Sequence, residues 1–127
     1  MKTVVYANDA PKAIGPYSQA VRVGEWLFLS GQIAIDPATG DLVQGDAAAQ
    51  TQRILDNIEA VLAAATFRFE HVVKTTIFLA DLGDFARVNE VYGRCFPSEP
   101  PARSTVQVAA LPRGARVEIE VTAFRHM

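Results

Sequence analysis

HVVKTTIFLADLGDFARVNEVYGRCFPSEPPARSTVQV, residues 71–108, changes character twice within one short stretch. Residues 71–81 are rich in β-branched side chains, which suit a pleated strand. Residues 82–96 place Phe85, Val88, Tyr92 and Phe96 on one face at helical spacing, with Asp81 or Asp84 near the start. Pro97 ends that helix, because the ring disfavours helical backbone in the residue before it. Pro100 and Pro101 then set an extended entry into a second strand, 103–110. Strand, helix and strand in this order need a crossover connection, which predicts an α/β architecture.

The flanking sequence extends the pattern. Residues 47–65 predict the longest helix: Asp46 suits an N-cap, and Ile54, Leu55, Ile58, Val61, Leu62 and Ala65 form one apolar stripe. Residues 3–6 read as a short strand, and 20–23 with 26–30 as a hairpin about Gly24-Glu25. Pro11, Gly15 and Pro16 punctuate the loop between them, and DPATGD, 36–41, is a turn. Residues 116–124 supply the last strand, after a turn holding Pro112 and Gly114. One domain over 1–127 is expected, with a mixed six-stranded sheet and two helices on one face.

Composition narrows the function classes. Half of the 127 residues are hydrophobic and a fifth are charged, enough for a core and too apolar for disorder. The formal charge of −2, with Lys and Arg scattered, argues against a nucleic-acid partner. The single cysteine, Cys95, rules out an intrachain disulfide and suits a reducing compartment; beside Phe96 it reads as packing. No apolar run reaches signal-peptide or membrane-span length, so a cytoplasmic protein is expected. His71 and His126 belong to no metal-ligand motif, and there is no GxxxxGK or GxGxxG; neither a metal nor a nucleotide cofactor is expected. Ser30 lies in LSGQ rather than in a GxSxG elbow.

Strand side chains alternate between faces. In 116–124, Val117, Ile119, Val121 and Ala123 share one face, and Glu118, Glu120, Thr122 and Phe124 the other. In 103–110, Val106, Val108 and Ala110 are expected toward the helices, with Arg103, Thr105 and Gln107 on the helix-free face. In 72–79, Val73, Thr75, Ile77 and Leu79 oppose Val72, Lys74, Thr76 and Phe78. The helix-free face then mixes charge with Phe78, Phe124, Trp26 and Phe28, which fits a subunit interface better than a uniformly wet surface. A homo-oligomer is expected.

Arg103 opens the strand as a permanently charged group. It reads either as one half of a surface ion pair or as a bidentate clamp for a carboxylate, with Glu118 or Glu120 able to orient a water if they share its face. Asn89, four residues after Phe85 and three before Tyr92, reads either as a structural hydrogen bond or as a ligand contact. Tyr17, after a Gly-Pro step, either anchors its loop or lines a cleft.

AIGPYSQAV, LFLSGQI, DPATGDLV, VVKTTIFLADLGDFARVNEVY and PPARSTVQVAALPRGARVEIEV, in this order from about Thr3 to Arg125, resemble the Rid (YjgF) family of reactive intermediate deaminases. The resemblance implies a chorismate-mutase-like fold and a homotrimer whose sheets line a central barrel, with clefts between subunits. It implies cofactor-independent hydrolysis of small 2-imino acids, such as 2-iminobutanoate and 2-iminopropanoate, to 2-keto acids and ammonia. By position, Arg103 would bind the substrate carboxylate and Glu118 would hold the attacking water. Tyr17, Ser30, Gly31 and Asn89 would line the pocket, Thr105 would contribute through its backbone, and Glu120 would be structural. An arginine near Glu118 would keep that glutamate ionised.

The chain departs from the family pattern in three places. Thr105 stands where several members carry cysteine, AAATFRFEHVV lacks the glycine many show after the first helix, and the link FPSEPPARS is short. Competing readings are a non-catalytic trimer that binds small carboxylates, an endoribonuclease or translation inhibitor, and a holdase-type chaperone.

Overall fold

The computed structural model describes residues 1–126. Six strands form one sheet in the order β1-β2-β3-β6-β4-β5: β1 Lys2–Val5, β2 Ala20–Val23, β3 Trp26–Gln32, β4 Val72–Leu79, β5 Ala102–Gln107 and β6 Val117–Phe124. Among the described residues there are two α-helices, α1 Ala47–Ala64 and α2 Phe85–Gly93. The β4-α2-β5 crossover joins the one parallel pair, and every other pairing is antiparallel. Parallel neighbours need such a crossover, so residues 71–108 carry the feature that makes the sheet mixed.

α1 forms as its stripe requires. Asp46 accepts a hydrogen bond from the Ala49 amide at 2.9 Å, and Ile54, Leu55, Ile58, Val61 and Leu62 are buried. They share a core with Leu27 and Leu29 of β3, Ile77 and Leu79 of β4, and Val117, Ile119 and Val121 of β6. Polar groups in this core are satisfied locally: Asn57 donates to the Ile35 carbonyl at 2.9 Å, and Gln50 accepts from the Arg116 amide at 2.9 Å. α2 is shorter than its periodicity predicts. Residues Leu82–Asp84 form a 3₁₀ turn instead, where Asp81 accepts from the Gly83 amide at 2.8 Å. No helix of the described residues is long and apolar enough to cross a membrane.

The missing glycine after α1 has a structural counterpart. Thr66 takes a left-handed backbone conformation, φ 62°, which a β-branched residue resists. Arg125 holds it there, donating to the Thr66 carbonyl at 2.8 Å. Thr66→Gly is expected to raise stability by about 1 kcal/mol, a shift of a few degrees in Tm, read by thermal denaturation.

Strand facing differs from expectation at two places. Arg103 pairs with Thr75 and Thr105 with Ile77, and both partners are buried toward the helices. Arg103, Thr105 and Gln107 therefore face the helix side, while Val106, 41% exposed, faces away. β5 is an edge strand beyond the main core, so apolar content does not identify its inner face. At the start of β4 a bulge near Val73 turns Val72 inward and leaves Val73 exposed, so these two exchange the sides that strict alternation assigns them. The remaining facing agrees: Glu118 pairs with Phe78, Glu120 with Thr76, and Phe124 with Trp26 on the helix-free face. Trp26 and Phe28 lie exposed there, with the Trp26 ring edge-on to Phe124 at 4.9 Å.

Candidate active site

The sequence-nominated residues fall into two groups on opposite faces of the sheet. The first surrounds Glu118. Between Leu29 and Gln32 the β3–β6 register shifts, so Ser30 and Gly31 together oppose Glu120. This bulge brings Gly31 against the Glu118 carboxylate so closely that a Cβ on residue 31 would overlap Oε2. Glycine is needed here for space. Ser30 donates through Oγ to the Ser18 carbonyl at 2.6 Å, and its amide donates to the Gln19 carbonyl at 3.0 Å. These bonds pin the loop carrying Tyr17 beside the bulge. Tyr17 is 53% exposed, and its hydroxyl accepts from the Ile14 amide at 3.4 Å, a weak anchor within its own loop.

Burial, reinforced by the neighbouring Glu120 carboxylate, holds the Glu118 carboxyl above the usual glutamate range. The expected arginine does not lower it, because Arg103 of the same chain lies across the sheet. Glu118 thus has the character of a proton acceptor that releases its proton closer to neutrality than an ordinary glutamate.

The second group surrounds Arg103. Its Nη1 donates to Asn89 Oδ1 at 2.6 Å, and Cζ lies 5.1 Å from the Tyr92 ring centre and 5.4 Å from that of Phe85. Asn89 therefore has the structural hydrogen bond that its place on the helix requires. The Tyr92 hydroxyl is 2.8 Å from Thr75 Oγ1, and burial pushes the phenol up, so it is neutral at physiological pH. Arg103 makes no ion pair with any carboxylate among the described residues. Two positions along the same face, the Thr105 hydroxyl is buried with no hydrogen-bond partner among the described residues. Phe85, Tyr92 and Thr75 read in the sequence only as packing or strand residues. The 85/89/92 spacing was the available signal, and it gains meaning only once β5 is placed beside β4.

Cys95 packs against the core, and burial together with the Glu59 and Asp56 carboxylates pushes its thiol up, as suits an inert side chain. Among the described residues, no three His, Cys, Asp or Glu side chains gather as a metal site.

Among the described residues, one chain therefore presents a guanidinium without a carboxylate partner on one face, and on the other a glutamate whose pKa burial raises. Comparisons with known proteins identify the family. Residues 7–125 match the family model described as Endoribonuclease L-PSP. Protein DfrA of Myxococcus xanthus is 62% identical over 124 residues, covering 96% of this chain and 95% of that protein. The Homo sapiens 2-iminobutanoate/2-iminopropanoate deaminase is 49% identical over 125 residues, covering 98% and 91%. The crystal structure of Escherichia coli TdcF with bound serine superposes with a TM-score of 0.93 at 41% identity, covering 98% of this chain and 99% of that one. With the family model spanning nearly the whole chain and the fold matched at this level, the chain belongs to the endoribonuclease L-PSP family, also called the Rid or YjgF family.

Proposed function

We propose that this chain is a cytoplasmic, cofactor-independent 2-iminobutanoate/2-iminopropanoate deaminase acting as a homotrimer. The observation that carries this reading is Arg103. Its guanidinium is held from one side by Asn89 and lacks a carboxylate partner among the described residues. A planar fork in that state is suited to a ligand carboxylate. The deaminase name of the human relative and the serine bound to TdcF point to small amino-acid-like carboxylates.

The chemistry follows from the two groups. Arg103 binds the substrate carboxylate and fixes the position of C2. The protonated imine is already electrophilic at C2. Glu118 orients a water and accepts its proton as the oxygen adds to C2. The proton then passes to the amino nitrogen, the C–N bond breaks as the new hydroxyl gives up its proton to form the carbonyl, and ammonia leaves and takes up that proton as ammonium, with the 2-keto acid as coproduct. Thr105 contributes through its backbone, and Tyr17, Ser30 and Gly31 shape the wall beside Glu118.

Arg103 and Glu118 lie on opposite faces of one sheet, so they can meet only across an interface between copies. In a ring, each interface joins the Arg103 side of one copy to the Glu118 side of the next. The exposed Trp26 and Phe28 give the helix-free face apolar area for such contact.

The test is release of 2-oxobutanoate from 2-iminobutanoate generated by a threonine dehydratase, with and without the protein. No acceleration sinks the deaminase reading and leaves a carboxylate-binding protein. Mixing inactive Arg103→Ala and Glu118→Gln chains, unfolded and refolded together, should restore activity at roughly a quarter of the interfaces. No restoration sinks the shared site.

Glu120 provides a pH prediction. Its charge helps to hold the Glu118 carboxyl high, so Glu120→Gln lowers that pKa. Glu118 must be ionised to accept a proton, so the acidic limb of the kcat/KM profile should move to lower pH. A pH–rate profile of the variant checks the direction.

A further inference from the structure

We propose that Phe85, Asn89 and Tyr92 on α2 form a cradle that presets the Arg103 guanidinium, making Phe85 and Tyr92 positioning residues for carboxylate binding. The inference rests on the reading of Arg103 as a carboxylate clamp. Arginine has a long, rotamer-rich side chain, and here it springs from the edge strand of the sheet. Left alone, such a side chain would sample many orientations and lose that freedom when a ligand bound.

Three contacts remove the freedom in advance. Phe85, Asn89 and Tyr92 follow one another at spacings of four and three, so they share one face of the helix. Asn89 Oδ1 takes one Nη1 hydrogen at 2.6 Å, and the two rings lie 5.4 and 5.1 Å from Cζ. Cation–π attraction at these distances adds a directional hold without consuming donors. A carboxylate in place of Asn89 would have neutralised the cation, whereas an amide oxygen orients it and leaves the charge for a ligand.

Tyr92 is itself fixed. Its hydroxyl is bonded to Thr75 Oγ1 at 2.8 Å, and its ring packs on Phe96 at 4.7 Å. Thr75 is the residue directly beside Arg103 across the β4–β5 pair. The chain thus closes a loop from Thr75 through Tyr92 and Arg103 back to Thr75. Because the phenol stays protonated, Tyr92 offers a neutral ring rather than a competing anion. Phe85 is the outer wall, 37% exposed, and makes little of the core, so it can be changed without unfolding the chain.

The experiment measures the Kd of 2-oxobutanoate, the stable product, for wild type, Phe85→Leu, Phe85→Trp and Tyr92→Phe, alongside Tm. Phe85→Leu keeps apolar bulk but removes the ring, and should raise Kd roughly 3- to 10-fold. Phe85→Trp restores a ring and should bind as wild type does. Tyr92→Phe keeps its ring but frees it from Thr75, and should lower Tm with a smaller rise in Kd. A Phe85→Leu protein that loses Tm but binds with wild-type Kd overturns the cradle and leaves Phe85 as packing. Wild type that does not bind 2-oxobutanoate also overturns it, since the preset cation then has nothing to hold. Wild type that binds but does not accelerate imine hydrolysis sinks the deaminase reading alone, and the Phe85→Leu comparison still decides the cradle.

Discussion

Replacing Glu118 with glutamine is expected to lower kcat/KM for 2-iminobutanoate by about 10²- to 10⁴-fold, the usual span for loss of a positioned acid–base group, and to raise Tm at neutral pH. Both effects follow from one environment. Glutamine keeps the shape against Gly31 and can still hold a water, but it cannot accept the proton that addition to C2 releases. The second effect is a matter of linkage. Burial and Glu120 raise the Glu118 pKa in the folded chain above its unfolded value, so the folded state holds more protons between those two values. Stability therefore falls as pH rises through that window, and the ionised side chain costs stability at neutral pH. Glutamine, which never ionises, escapes that cost. The gain in Tm should be present at about pH 8 and shrink toward about pH 4, where Glu118 of the wild type is itself protonated. Circular dichroism melts of both proteins at the two pH values check this. A variant less stable at neutral pH would mean that Arg103 of the adjoining copy, which the shared site brings to Glu118, outweighs burial and Glu120 and holds the side chain ionised. Loss of activity with gain of stability would mark Glu118 as a residue kept for function.

Much of the fold was legible because it is written in periodicity. The stripe through Ile54, Leu55, Ile58, Val61 and Leu62 and the cap at Asp46 define α1 without tertiary information. The change from β-branched run to helical spacing and back in residues 71–108 sets the crossover and with it the mixed sheet. Facing was harder, because alternation divides a strand into two sets without saying which is inner. In β6 hydrophobicity decides, since Val117, Ile119, Val121 and Ala123 oppose two glutamates. In β5 it misleads: Val106 points out and Arg103 points toward α2, because an edge strand lies outside the core that enforces the rule. The bulge at Val73 is invisible in a Val-Val step, since either valine fills the inner position equally well.

The candidate site divides along the same line. Arg103, Asn89, Tyr17 and the two glutamates stand out by pattern and family motifs give them roles, but their geometry depends on register and pairing that no single strand reveals. Gly31 touches Glu118 only because two residues of β3 oppose one of β6. Phe85 and Tyr92 flank Arg103 only because β5 lies parallel to β4, with Thr75 level with Arg103. The Thr105 hydroxyl, buried without a partner among the described residues, could not be anticipated from a strand that reads simply as β-branched.

Arg103→Ala is the complementary loss. A bidentate clamp makes two charge-assisted hydrogen bonds, each worth about 1.5–3 kcal/mol. Removing both should reduce kcat/KM for 2-iminobutanoate roughly 10²- to 10⁴-fold. Arg103→Lys keeps the charge but not the planar fork, and a compact ammonium stacks less well between two rings, so it should recover only part of that loss. Stability should change little. Arg103 is half-buried at the sheet edge, and its removal leaves one Asn89 oxygen that water can reach. The pattern across the three proteins carries the meaning. If Lys restored full activity, Arg103 would act as a bare positive charge, and neither the fork nor the ring contacts would matter. If Ala left activity intact, the carboxylate would be bound elsewhere and the pairing of Arg103 with Glu118 across an interface would lose its purpose. An ordered series, wild type above Lys above Ala in kcat/KM at nearly constant Tm, is the outcome that a preset, planar carboxylate clamp requires.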